Sequence, residues 1–205
     1  PEGVGSKPPG QGHYDQARAY LNQAIAAAWT PQEKLSYMRQ IAATYALEGT
    51  RDAPMRLEAV AAEAKAQNNA RALAITYAQL AAAQAHAGNA TAAQKALDMA
   101  NAVDPNVPTP VYYFATMSHG MLKQWTPANQ QLATLKARAT TDPTMSKALI
   151  AAAEGYLLTQ QGNPADALNG LMAADTPSIL VMNRIAEAHP ALGHTADAAA
   201  GDYTV

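Results

Sequence analysis

Backbone-breaking residues recur along this chain at a nearly regular interval, and nothing else in the sequence limits its fold so tightly. Gly12, Gly49, Gly88, Gly162 and Gly193 are read as glycine-type turns closing apolar-periodic runs, where a helix ends left-handed and a Cβ is unwelcome. A second set of breaks is built on proline: Thr30-Pro31, Asp104-Pro105 running on to Pro108 and Pro110, Asp142-Pro143, and Thr176-Pro177. The two sets are read as alternating. With Lys123 standing where a glycine is expected, successive glycine-type turns are 37, 39, 35, 39 and 31 residues apart. Stretches of about 12 to 16 helix-forming residues lie between the breaks. Repeats of that length, punctuated in two ways, describe stacked helical pairs in which one turn joins the helices of a pair and the other joins pair to pair.

Composition agrees. About a quarter of the 205 residues are alanine, while Phe occurs once and Trp twice, so β-branched and aromatic residues are too scarce for a sheet protein. Helix starts are expected after Asp52, Thr126, Asn163 and Thr195, whose side-chain oxygens suit the free amides of a first turn. Residues 1–10 have no apolar pattern and are expected to form a flexible tail, with one helical repeat domain over 11–205.

In register, the chain resembles the tetratricopeptide repeat family. The third unit carries Tyr77-x2-Leu80-Ala81, Gly88, then Ala93-x3-Leu97-x2-Ala100 and Asp104-Pro105. The second carries Met38-x2-Ile41-Ala42-x2-Tyr45 and Gly49, then a poorer second helix with Pro54 and Ala61. The fourth has Tyr112-x2-Ala115-Thr116-x2-His119, Trp125 and Ala128-x3-Leu132-x2-Leu135. The fifth has Glu154-Gly155-x2-Leu158, Gly162 and Ala167-x3-Leu171-x2-Ala174, and the sixth Met182-x2-Ile185-Ala186, Gly193 and Ala198. The first is half a unit, from Gly12 through Ala17 and Leu21 to Ala24. The resemblance implies an all-α, right-handed α-solenoid of stacked antiparallel helix pairs, about five and a half units long. Small residues at Ala42, Ala81, Gly155 and Ala186 in first helices, and at Ala17, Ala93, Ala128, Ala167 and Ala198 in second helices, are where axes should approach closely.

Pro190 falls late in a first helix, where it removes a hydrogen bond, so that helix is expected to kink or stop near Ala188. Half a repeat at the start and no polar cap at the end suggest that a larger array, an oligomer or a partner covers one or both ends. The chain opens on Pro1 without a leader pattern and is expected to be a trimmed or processed product.

Catalytic signatures do not emerge. The five histidines have no metal spacing, the carboxylates are scattered singly, and the glycines are isolated rather than gathered into a phosphate loop. Asn89-Ala90-Thr91 has the form of a glycosylation sequon but falls where a helix cap is needed. No metal or cofactor is expected. A net charge of −2 with 14 Lys plus Arg argues against a nucleic-acid partner, an RNA-reading helical repeat included. No apolar run reaches membrane-spanning length. The absence of cysteine leaves the compartment open, and abundant Ala, Gln, Asn and Thr lean toward a periplasmic or exported protein.

The resemblance implies a concave face lined by first-helix residues. Here these are Ser36, Arg39, Gln40, Ala43 and Leu47; Gln79, Ala82 and His86; Tyr113, Met117 and Met121; Ala152, Tyr156, Thr159 and Gln160; Asn183, Arg184 and Glu187. Tyr113, Met117, Met121 and Tyr156 stand out as adaptable anchors, although Tyr and Met at helical spacing also suit a core. The chain is therefore expected to be a non-catalytic scaffold that binds a peptide or helix of another protein in this face. The alternative is an accessory or assembly subunit of a larger, envelope-associated complex, docking through its edges or uncapped ends.

Overall fold

The computed structural model describes residues 11–138, 143–174 and 179–192. The expected tail, the breaks at Asp142 and Thr176-Pro177, the turn at Gly193, the cap at Thr195, His194 and Ala198 lie outside the described residues, as do the side chains of Asn183, Ala186 and Glu187.

Ten helices are present among the described residues, and no strand. They are α1 (Gln11–Ala27), α2 (Pro31–Leu47), α3 (Ala53–Ala66), α4 (Ala70–His86), α5 (Ala90–Val103), α6 (Thr109–Met121), α7 (Trp125–Arg138), α8 (Pro143–Gln160), α9 (Pro164–Ala173) and α10 (Ile179–Ala191). The chain divides into two compact units, the first ending at Val107 and the second beginning at Pro108. Within each unit every helix packs on the next in sequence. First helices of successive pairs also meet: α2 with α4 in the first unit, and α6 with α8 and α8 with α10 in the second.

Five turns share one design. After α2, α3, α4, α6 and α8 the chain passes through a left-handed residue, at Gly49 (φ +72°), Asn68 (φ +51°), Gly88 (φ +78°), Lys123 (φ +56°) and Gly162 (φ +84°). At each, the amide of the following residue reaches back five positions, as in Thr50 to the Tyr45 carbonyl and Asn69 to that of Ala64. The left-handed residue itself reaches back three, so two carbonyls of the last turn are satisfied. The expected alternation of break types therefore fails once. The connection between α3 and α4 is neither glycine nor proline but Asn68-Asn69, because asparagine is the residue after glycine that best tolerates this conformation. Gly12 is also not a turn; it lies in the first turn of α1.

Helix starts vary more. Thr30 accepts from the Glu33 amide at 3.2 Å while Glu33 accepts from the Thr30 amide at 3.1 Å, a reciprocal capping box with Pro31 behind it. Asn69 accepts from the Ala72 amide at 3.0 Å. Asp52, Asn89 and Asn163 occupy cap positions without a side-chain cap bond. Asp52 instead meets Arg56 at 2.6 Å and Asn89 donates to Gln84 Oε1 at 3.1 Å. Helix α7 begins at Trp125, so Thr126 lies inside its first turn and not at the cap expected ahead of Pro127. Pro190 neither stops nor displaces the end of α10 at Ala188: the helix continues through it to Ala191, and the Leu192 amide bonds the Ala188 carbonyl at 3.2 Å. Pro190 lacks the amide that would have donated to the carbonyl four residues back, and because the helix ends one residue later the loss is confined to that single bond.

Most of the small residues expected at close helix contacts are buried. Ala42, Ala81, Ala93, Ala128 and Ala167 are buried, and Ala17 partly so. Gly155 is the tightest case: a Cβ there would sit 2.7 Å from Leu171 of the neighbouring helix α9.

Candidate functional site

In the first unit α2 and α4, which carry two of the stripes expected to line a concave face, pack against each other. Ser36, Arg39, Gln40, Ala43 and Leu47 are linked by three- and four-residue steps along α2, with Arg39 and Gln40 side by side, and Gln79, Ala82 and His86 are spaced likewise along α4. Such steps return to one side of a helix.

Arg39 is half-buried, and burial pushes its guanidinium below the usual arginine range. It forms no ion pair or hydrogen bond among the described residues. The other half-buried and buried arginines of this unit behave differently. Arg18 donates to Thr44 Oγ1 at 2.8 Å, pairs with Glu48 and with Asp15, and lies 3.7 Å from the centre of the Tyr45 ring. Arg56 covers that ring at 3.8 Å while pairing with Asp52. Two guanidiniums thus close on Tyr45, tying α1, α2 and α3 together with their charges matched. Arg39 has no such arrangement.

Gln79 is 7% exposed, and its Oε1 has no hydrogen-bond partner. A buried amide oxygen left in this state costs about 1–3 kcal/mol relative to a satisfied one. Gln40 is exposed, with its amide 3.5 Å from Ser36 Oγ. His86 is exposed at the end of α4 and crowds the α2–α3 turn: a Cβ on Gly49 would lie 3.0 Å from its Nε2. Arg39, Gln40, Gln79 and His86 therefore lie on two packed helices, with the Gln79 oxygen unsatisfied and the Arg39 guanidinium without a side-chain partner among the described residues.

The second unit places its expected site residues differently. Tyr113 (3% exposed), Met117 and Tyr156 are interior residues, packed with Leu132, Leu135, Leu149 and Leu157. Met121 is half-buried against the same cluster. The aromatic and Met-rich set is a core, because α6, α7 and α8 close over it and alanine elsewhere leaves few large side chains to fill the space. Arg184 is buried as well, with its guanidinium 5.3 Å from the centre of the Tyr156 ring. Gln160 is exposed at the end of α8, and the side chain of Asn183 lies outside the described residues.

His119 is buried, with Nδ1 2.8 Å from Gln124 Oε1. Among the described residues no group of three His, Cys, Asp or Glu side chains is placed to hold a metal ion, and no helix is long and apolar enough to cross a membrane. What the sequence had no means of showing is the unmet state of Gln79, since its pattern signals position on a helix and not the hydrogen-bond inventory of its neighbours. Comparison with protein families, curated proteins and solved structures finds no match for this chain.

Proposed function

We propose that the chain is a non-catalytic interaction module built of divergent tetratricopeptide-like pairs, and that the α2–α4 face of its first unit binds an extended or helical segment of another protein. The observation that carries this reading is a pair of polar groups at expected groove positions: the half-buried Arg39 guanidinium, without a side-chain partner among the described residues, and the buried, unsatisfied Oε1 of Gln79. A folded protein rarely keeps such groups without a use for them. A bound segment supplies a backbone or side-chain acceptor for Arg39, and an N–H donor for Gln79 once that enclosed side chain turns outward to meet it. Exposed Gln40 and His86 extend the same surface.

The test pairs stability with binding. Gln79→Leu removes the stranded oxygen at similar volume and should raise stability by about 1 kcal/mol, read by urea denaturation, while weakening capture of the native partner. Loss of stability together with unchanged capture would overturn the proposal.

A second reading rests on a separate observation. Trp29 is 94% exposed between α1 and α2, and Tyr20, Leu47 and Met55 are exposed on α1, α2 and α3. Large apolar side chains in contact with solvent suit the docking of an assembly subunit. Trp29→Ser with Tyr20→Ser should then abolish incorporation into a larger complex, read by size-exclusion chromatography, while leaving the helical circular dichroism signal intact.

A further inference from the structure

Helix α4 has a second working side. Tyr77, Leu80 and Gln84 lie about half a turn around the helix from Gln79, Ala82 and His86, and they form the floor of a groove of about 470 Å³ walled by α3 and α5. The walls are low because they are made of alanine: Ala61 and Ala62 on one side, Ala92 and Ala96 on the other. Leu80 and half-buried Met99 supply apolar contact, and Lys65 and Lys95 rise from opposite walls, with Glu58 the one acidic residue of the lining. Both lysines are exposed, and neither ammonium group forms an ion pair or hydrogen bond among the described residues.

We infer that this groove is a second docking site, for an amphipathic acidic helix of another protein. The volume accommodates a few apolar side chains and not a whole helix, so the occupant lies along the groove with one apolar ridge inserted. The alanine walls let its backbone come close. Lysines on both sides, in a chain whose net charge is −2, select carboxylates along the flanks of that ridge, and the like charges of a basic helix are turned away. The site is independent of the α2–α4 face proposed above, since it uses the opposite side of α4.

The test uses two synthetic fluorescein-labelled helical peptides with leucines at i, i+3 and i+7, one flanked by glutamates and one by lysines, followed by fluorescence anisotropy on the whole chain. The acidic peptide should bind and weaken as salt is raised, and the basic one should not bind. Lys65→Glu with Lys95→Glu should reduce acidic-peptide binding about tenfold or more, and so should Ala96→Trp, which fills the groove without changing charge. Arg39→Ala should leave it unchanged, so that failure here and failure of the α2–α4 proposal are read apart. Equal binding of both peptides, no binding of either, or an undiminished affinity in the double lysine variant overturns the inference. Self-association of the chain that disappears in the double lysine variant, with no peptide binding, also overturns it by naming a second copy as the occupant.

Discussion

At the scale of single residues, the chain shows the same backbone problem solved by three different side chains. The left-handed turn position is occupied by Gly49, Gly88 and Gly162, by Asn68 and by Lys123. A lysine held at positive φ has its Cβ against the adjoining carbonyl, at about 1–2 kcal/mol. Lys123→Gly should therefore stabilise the second unit by about 0.5–1 kcal/mol after the extra freedom of glycine in the unfolded chain is counted, measured as a rise in the urea midpoint. The reverse holds at Gly155, where an added methyl collides with Leu171, itself fully packed. Gly155→Ala should cost about 1–3 kcal/mol despite the better helix propensity of alanine. Asp52 provides a pH signature. The Thr50 hydroxyl and then the Arg56 guanidinium hold its carboxyl below the usual carboxylate range. Its contribution is thus complete above the unfolded carboxylate value near about 4 and is lost as pH falls through the lowered folded value, which an NMR titration of Asp52 reads directly.

At the scale of helices and turns, the positions of most elements were legible because glycine and proline act locally. Gly49, Gly88 and Gly162 terminate helices in the sequence and in the structure by the same pair of backbone bonds. Asn68 was not legible as a break, since asparagine is equally at home capping a helix and ending one, and Asn68-Asn69 does both in two residues. Gly12 misled for the opposite reason: at a helix start glycine is tolerated, so its presence does not mark a turn. The site was legible in part. Helical spacing placed Arg39 and Gln40 on α2 and Gln79 and His86 on α4, two helices that pack together. The same spacing could not tell Tyr113, Met117 and Tyr156 from surface residues, because whether a stripe is covered depends on which helices close over it. Tyr113→Ala should accordingly destabilise the second unit by about 3–5 kcal/mol, as truncation of a buried aromatic does, and thermal melts followed by circular dichroism should show it. At the start of α2, Thr30→Ala breaks the capping box and should cost about 1 kcal/mol.

At the scale of the whole molecule, the chain is a sequence of helical pairs whose packing is local, gathered into two compact units. Locality of this kind lets part of an array hold its own fold, so residues 11–107 alone should retain helical circular dichroism and a cooperative melt. The abundance of alanine that makes the pairs pack closely also leaves few side chains for recognition. Against that plain background the half-buried, partnerless Arg39 side chain and the unsatisfied Gln79 oxygen carry the central claim, that the α2–α4 face of the first unit receives a partner. The most direct measurement replaces exposed Gln40 on that face, and separately exposed Asn101 on α5, with a photo-crosslinking amino acid and follows the adducts formed with the native partner. A defined adduct from position 40 and none from position 101 is the expected result. Adducts from position 101 with none from position 40 would contradict the account.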